Sequence, residues 1–391
     1  MSRKSLMISI GSAVVVIAVV ATILVSCQPK AVAPKAETDI PPYPTIALTC
    51  KELVSEADLQ AFYSEPAEFG SINEQIMGAV GGIPTYYALD LLGGQSCYWQ
   101  VGKWGTNNLG GIDGYRNLEI SIRPDAENTF NEYLDYRGSD SVATTPACDL
   151  EGDYYKGCDF EGLVGKDWVR IHVDGIDVTL AVTATESFNG LVSNVKEKVE
   201  NADRLKPWQM PKDTLVLPTS EECTVYITSA QLTEATGVGL LAIESDLRQK
   251  LLETRYVFDP VPGLASDENN EAVARCPILL DSPNVADQPL RAGEIVALTG
   301  GMWAQHDALT RDRADGEFEP LNLKGLKKGE SAQISCNKEK TMCYVDLVIG
   351  KSWINFKLTN TYGFEVPLQF TDELDAVVTK IAQTMVDNLK A

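Results

Sequence analysis

The sequence predicts an α+β protein of two tandem homologous domains, each an antiparallel sheet with helices packed on one face. Three observations predict it. Cysteines recur in the same rhythm, strand-like stretches alternate with period two inside each copy, and an amphipathic helix closes each copy. Beyond Cys27, the cysteines fall into two groups of four: Cys50, Cys97, Cys148, Cys158, then Cys223, Cys276, Cys336, Cys343. The surrounding text repeats as well. CKELVSEADL (Cys50 to Leu59) parallels CTVYITSAQL (Cys223 to Leu232) at an offset of 173. CDFEGLVGKDWVRIHV (Cys158 to Val173) parallels CYVDLVIGKSWINFKL (Cys343 to Leu358) at an offset of 185.

Composition fits two globular domains: 391 residues, 44% hydrophobic and 23% charged, which excludes collagen, low-complexity disorder and a multi-span membrane protein. With 55 acidic against 33 basic residues, the net charge is −22. Such a body repels phosphates, so nucleic acid is not expected as a partner.

The chain opens with Arg3 and Lys4, followed by an uncharged apolar run from Leu6 to Val25. That is the pattern of an export signal. It ends in Leu24-Val25-Ser26-Cys27, which resembles the bacterial lipobox, a resemblance that implies cleavage before Cys27 and lipid attachment to it. The alternative is an uncleaved transmembrane anchor, since about 20 apolar residues span a bilayer. Either places the rest outside the cytoplasm. Residues 28–44, QPKAVAPKAETDIPPYP, are too poor in apolar bulk for a core and read as a tether reaching about 55 Å. The first repeat domain spans 45–205 and the second 219–391, joined by a proline-bearing linker at 206–218.

Within each copy the elements follow in the same order. Ser55 with Asp58, and Thr228 with Gln231, stand at capping-box spacing before the first helices. Strands are expected at Cys97 to Val101, Leu118 to Arg123 and Ile295 to Leu298. Middle helices are expected at Asp125 to Tyr136 and Met302 to Arg313. ISC and MCYVDLVI, separated by NKEKT, read as a hairpin. In the Trp-led strands, Val169, Ile171 and Val173 alternate against Trp168, Arg170 and His172, and Ile354, Phe356 and Leu358 against Trp353, Asn355 and Lys357. The closing helices carry Phe188, Leu191, Val192, Val195 and Val199, matched by Leu374, Val377, Val378, Ile381 and Met385, with Thr185 and Thr371 as expected N-caps.

Four cysteines per copy allow three pairings. A scheme that works twice pairs Cys148 with Cys158 and Cys336 with Cys343 across hairpins, leaving Cys50 with Cys97 and Cys223 with Cys276. The lipobox, the short tether, the Cys-led helix starts and Ser96-Cys97-Tyr98-Trp99 together resemble exported lipoproteins of actinobacteria. These form families of unknown function whose domains carry cysteine pairs. The second copy departs from the pattern, with Pro277-Ile278 after Cys276. The resemblance implies location and bridges and supplies no catalytic residue.

Motifs for chemistry are sparse. The two histidines, His172 and His306, occupy non-equivalent positions, and no Gly-x-Ser-x-Gly elbow occurs. Asp149-x-Glu151-x-Asp153 has Tyr154 where a calcium loop needs glycine, and the group Asp312, Asp315, Glu317 is weaker still. The stretch Gly102 to Gly114 lacks the strand-to-helix frame of a phosphate loop. No Asp or Glu stands out as shared between the copies. Asp58 faces Gln231, and Asp167 faces Ser352. Trp168 and Trp353 are candidates for lining a ligand groove, against the commoner fate of burial under a helix. Neither a metal nor a cofactor is expected. The reading is a non-catalytic, membrane-anchored envelope lipoprotein that binds an envelope protein or small ligand. The alternatives are a carboxylate-based envelope hydrolase and a solute-binding lipoprotein of a transporter.

Overall fold

The computed structural model describes residues 41–70, 84–102, 116–151, 156–239, 241–243, 273–280, 290–310, 318–360 and 368–391. The expected signal segment and most of the tether, including Leu24, Val25, Ser26 and Cys27, lie outside them. Among the described residues no helix is long and apolar enough to cross a membrane.

The first copy opens with two short helices, α1 (Cys50–Leu53) and α2 (Glu56–Gln60). Ser55 caps α2 as its spacing predicts: its hydroxyl accepts from the Asp58 N–H at 3.2 Å, and the Asp58 carboxylate accepts from the Ser55 N–H at 2.8 Å. Strands β1 (Glu68–Gly70), β2 (Gln95–Val101) and β3 (Arg116–Arg123) follow, with a 3₁₀ turn at Pro84–Tyr87 and helix α3 (Ala88–Leu91) before β2. Then come α4 (Glu127–Arg137), β4 (Ala147–Asp149), β5 (Gly157–Val164), β6 (Asp167–Asp174) and the long α5 (Ala181–Asn201). The sheet order is β1-β2-β3-β6-β5-β4, antiparallel throughout.

The second copy repeats this series. It comprises α6 (Cys223–Tyr226), α7 (Ser229–Thr236), β7 (Leu241–Ala242), β8 (Val273–Leu280), β9 (Leu290–Leu298), α8 (Met302–Thr310), β10 (Glu319–Pro320), β11 (Ser331–Cys336), β12 (Met342–Ile349), β13 (Ser352–Thr359) and α9 (Leu374–Lys390). Its sheet reads β7-β8-β9-β13-β12-β11-β10. Strand for strand this is the first order, with β10 added at one edge. Thr228 caps α7 in the same boxed manner as Ser55. Pro277 is tolerated in β8 because β7 pairs only with Leu279 and Leu280, leaving the Pro277 stretch without a second neighbour among the described residues.

The two faces of each sheet have different covers. Val169, Ile171 and Val173 pack with the apolar stripe of α5, and Ile354, Phe356 and Leu358 with that of α9. The long helices therefore share one face, together with the short opening helices. The middle helix α4 covers the opposite face, where Phe130 meets Trp168. The expected caps at Thr185 and Thr371 are corrected. Helix α5 starts earlier, at Ala181, because the Leu180 and Ala181 N–H groups already bond to the Asp177 carbonyl. Thr371 donates its backbone N–H to Thr236 instead, and α9 starts after Glu373.

Four disulfides brace the copies, two in each: Cys50–Cys97, Cys148–Cys158, Cys223–Cys276 and Cys336–Cys343. The hairpin bridges join residues directly opposite in register, β4 to β5 and β11 to β12. The longer bridges tie the first helix of each copy to an early strand. A two-residue turn precedes each Trp-led strand, and Gly165 and Gly350 both hold positive φ there. Both copies belong to one compact unit, Pro41–Ala391.

Candidate functional site

The face opposite the long helices carries Glu119, Ser121, Ser335, Asp346 and Asn355, all buried, and both candidate tryptophans. Neither lines an open groove. Trp168 and Trp353 are each 0% exposed and belong to one apolar cluster with Tyr87, Tyr98, Phe130, Val296 and Leu298. Trp168 packs within its own copy against Phe130 (5.2 Å, edge-on) and Tyr133 (4.8 Å). Trp353 is covered from the other copy. The Pro84–Tyr87 turn packs on β9, β13 and α8, placing the Tyr87 ring 5.7 Å from Trp353 and 5.6 Å from Trp303. The physical reason is area: each indole gains more by full burial than an open site would allow.

Around the tryptophans the register shows what text comparison missed. Glu161 and Asp346 each lie seven residues before the Trp, and Glu119 and Glu294 each pair across the sheet with the residue four beyond it, His172 and Lys357. Two carboxylate positions are therefore shared, correcting the expectation of none. One signal was present: at an offset of 185, Glu161 aligns with Asp346 inside the matched block.

These acids are engaged by structural partners. In the first copy, Tyr133 donates to Glu161 at 3.3 Å and Ser121 to Glu119 at 3.0 Å. Arg170 lies among Glu119, Glu161 and Asp159; burial alone lowers its basicity, and the carboxylates outweigh burial and raise it. Burial pushes Glu161 above the usual carboxylate range against the pull of Arg170, and burial with Glu161 pushes Tyr133 up to about 12. In the second copy, Asp346 accepts from Trp353 Nε1 at 2.7 Å and Asn355 Nδ2 at 2.9 Å, while Arg275 Nε bonds to Glu294 at 3.0 Å. The arrangement braces each sheet with charge and hydrogen bonds.

The remaining candidates are dispersed. His172 Nδ1 lies 2.7 Å from Asp159 Oδ1 on the polar strand face, and His306 is exposed on α8. Asp149 accepts from the Glu151 N–H at 3.3 Å, a local turn. Asp153, Asp312, Asp315, Glu317 and the glycine stretch beyond Gly102 lie outside the described residues. Among those residues, no group of three His, Cys, Asp or Glu is placed to hold a metal ion.

No family model matches the sequence, and no curated protein matches it. Among solved structures the chain is similar to "Crystal structure of the di-domain ARO/CYC StfQ from the steffimycin biosynthetic pathway", with 10% identity, coverage of 90% of this chain and 94% of that chain, and a TM-score of 0.16. A likeness at that level carries no argument about fold or function. The class of protein is defined by the fold itself: a duplicated, disulfide-braced α+β protein whose copies share a buried aromatic cluster.

Proposed function

We propose that this chain is a non-catalytic binding or interaction module of the bacterial cell envelope, lipid-anchored at Cys27 on the extracytoplasmic face. The observation that carries the reading is the set of four disulfides. Structural bridges persist in oxidising compartments and are rare where thiols are kept reduced. The charged start, apolar run and Leu24-Val25-Ser26-Cys27 ending support export by an independent route. A tether of some 17 residues suits a strongly acidic body that anionic headgroups repel. The partner is an envelope protein or a small ligand. The hydrolase alternative gains shared carboxylates, yet Asp346 and Glu161 are taken up by Trp353, Asn355 and Tyr133, so the binding reading is preferred.

Thiol alkylation in intact cells, with fractionation, tests it. The full chain is expected in the membrane fraction, with eight cysteines blocked until reduction. Recovery in the cytosolic fraction with alkylated cysteines would contradict it.

A further inference from the structure

We infer that the Cys148–Cys158 bridge is a redox-sensitive latch on the outer edge of the first sheet, opened by a dithiol while the rest of the chain stays folded. The inference goes beyond the binding reading and needs only that the body meet thiols of the envelope. The four bridges are of two kinds. Cys50–Cys97 and Cys223–Cys276 join helix to strand with Cα atoms 5.4 and 5.5 Å apart, near the commonest spacing for a disulfide. Cys148–Cys158 and Cys336–Cys343 join residues that face each other in an antiparallel ladder, with Cα atoms 4.0 and 4.1 Å apart. That is closer than the roughly 4.4 Å lower bound of ordinary bridges. The ladder sets the spacing of facing residues, so the bridge must fit strands that their hydrogen bonds hold together. Crowded or exposed bridges are the more readily reduced.

Exposure and anchorage then single out the first copy. Cys148 is half-buried on β4, an edge strand of three residues, between exposed Ala147 and Asp149. Cys158 is 0% exposed, so a thiolate arriving from solvent meets Cys148. Strand β4 pairs with β5 through three residues, supplemented by the Glu161 N–H donating to the Ala143 carbonyl at 2.8 Å. Pro146, between these contacts, has no N–H to offer. Cys336, by contrast, lies on β11, which pairs with β12 through six residues and carries β10 on its other side. The chain after β10 is fastened to α9: the Lys324 N–H and carbonyl both bond to Gln383, at 2.8 and 3.1 Å, and Lys390 Nζ donates to the Gly325 carbonyl at 2.6 Å. The second copy closes this edge with chain, and the first closes it with a bond.

The step is a thiol–disulfide exchange. A thiolate of the dithiol bonds to Cys148 Sγ and breaks the Cys148–Cys158 bond; the Cys158 sulfur leaves with the electron pair and takes a proton. The second thiol of the reagent gives up its proton and attacks the mixed disulfide, expelling the Cys148 sulfur, which is protonated in turn. Two electrons and two protons pass to the bridge, and the dithiol becomes a disulfide. Without the bridge, the segment 143–149 detaches and β5 becomes the sheet edge, with unpaired backbone groups along it.

The test equilibrates the full chain with graded mixtures of reduced and oxidised dithiothreitol, traps free thiols by alkylation and maps them by peptide mass. Cys148–Cys158 is expected to open at a reduced-to-oxidised ratio about tenfold lower than either helix-to-strand bridge, and before Cys336–Cys343. Hydrogen exchange at that ratio should rise at 143–149 and at the Glu161 N–H, with the amides of β2, β3 and β6 unchanged. The double variant Cys148→Ser, Cys158→Ser should show the same local exchange without reductant, which separates an opened latch from a lost fold. Opening of Cys148–Cys158 together with or after any of the other three bridges overturns the inference. So does opening without faster exchange at Glu161, or a double variant whose exchange rises throughout the sheet. None of these outcomes bears on where the chain is found in cells, so the two readings fail separately.

Discussion

Position 167 and its counterpart 352 keep one job with different chemistry. Asp167 is fully buried; its Oδ1 accepts from the Asp125 N–H at 3.1 Å and from Arg204 Nη1 at 2.9 Å. Ser352 Oγ accepts from the Gly300 N–H at 2.9 Å and donates to the Leu215 carbonyl at 2.6 Å. Each pins the turn before a middle helix, Asp167 to Arg204 at the end of the first copy and Ser352 to Leu215 in the segment joining the copies. Text comparison sees Asp against Ser and reads divergence, because a hydrogen-bonding role is not visible in a letter. The turn beside them yields a paired prediction. A Cβ on Gly350 would lie 2.5 Å from the Leu215 Cβ, whereas one on Gly165 meets open space, and both hold positive φ. Gly165→Ala is expected to cost about 1 kcal/mol from backbone strain, and Gly350→Ala about 2–3 kcal/mol in denaturant unfolding. Equal costs would contradict the packing difference. The His172–Asp159 pair predicts a pH effect. Burial raises the Asp159 value, but the hydrogen bond and charge of His172 outweigh it and hold the carboxyl below its ordinary range. Its contribution to stability is then complete above the unfolded value of about 4 and is lost as pH falls through the lower folded value. Asp159→Asn should therefore destabilise at neutral pH, with the gap from the wild type closing on acidification below about pH 4.

At the scale of elements, patterns with local causes were legible and those with tertiary causes were not. The boxes at Ser55 and Thr228 and the helical stripes were visible because capping and burial recur at fixed spacing. The starts of α5 and α9 were not, since Asp177 and Thr236 decide them from outside the helix. Disulfides were readable through duplication, which turned three open pairings per copy into one that served both. Their loops differ in length, 47 and 53 residues for the helix-to-strand bridges against 10 and 7 for the hairpins. In the chain-entropy model, the long loops stabilise by about 4 kcal/mol each and the short ones by about 2.5. Replacing Cys223 and Cys276 together by Ala should therefore lower stability more than replacing Cys336 and Cys343. The opposite order in calorimetry would show that native packing, rather than the unfolded chain, decides the bridges' worth.

For the whole molecule, duplication is written twice, in the text and in the strand order, and the second record is the fuller one. The offset grows from 173 to 186 along the chain through insertions that include β10. What the sequence hid is the joint between copies. Nothing in Pro84–Tyr87 marks it as a plug, because an aromatic residue in a loop looks alike whether it meets solvent or Trp303 and Trp353. The proposed groove was lost for the same reason: the partners that cover Trp353 are distant in sequence. The acidity of the body predicts that the lipid-free chain ignores DNA and anionic vesicles at physiological salt, where screening acts over about 8 Å. Salt-sensitive binding to either would contradict this. The central claim, a body tethered outside the cytoplasm by lipid, is tested most directly by metabolic fatty-acid labelling of the full chain and of Cys27→Ala. Label on the wild type and none on the variant is the predicted result; label that survives Cys27→Ala would contradict the account.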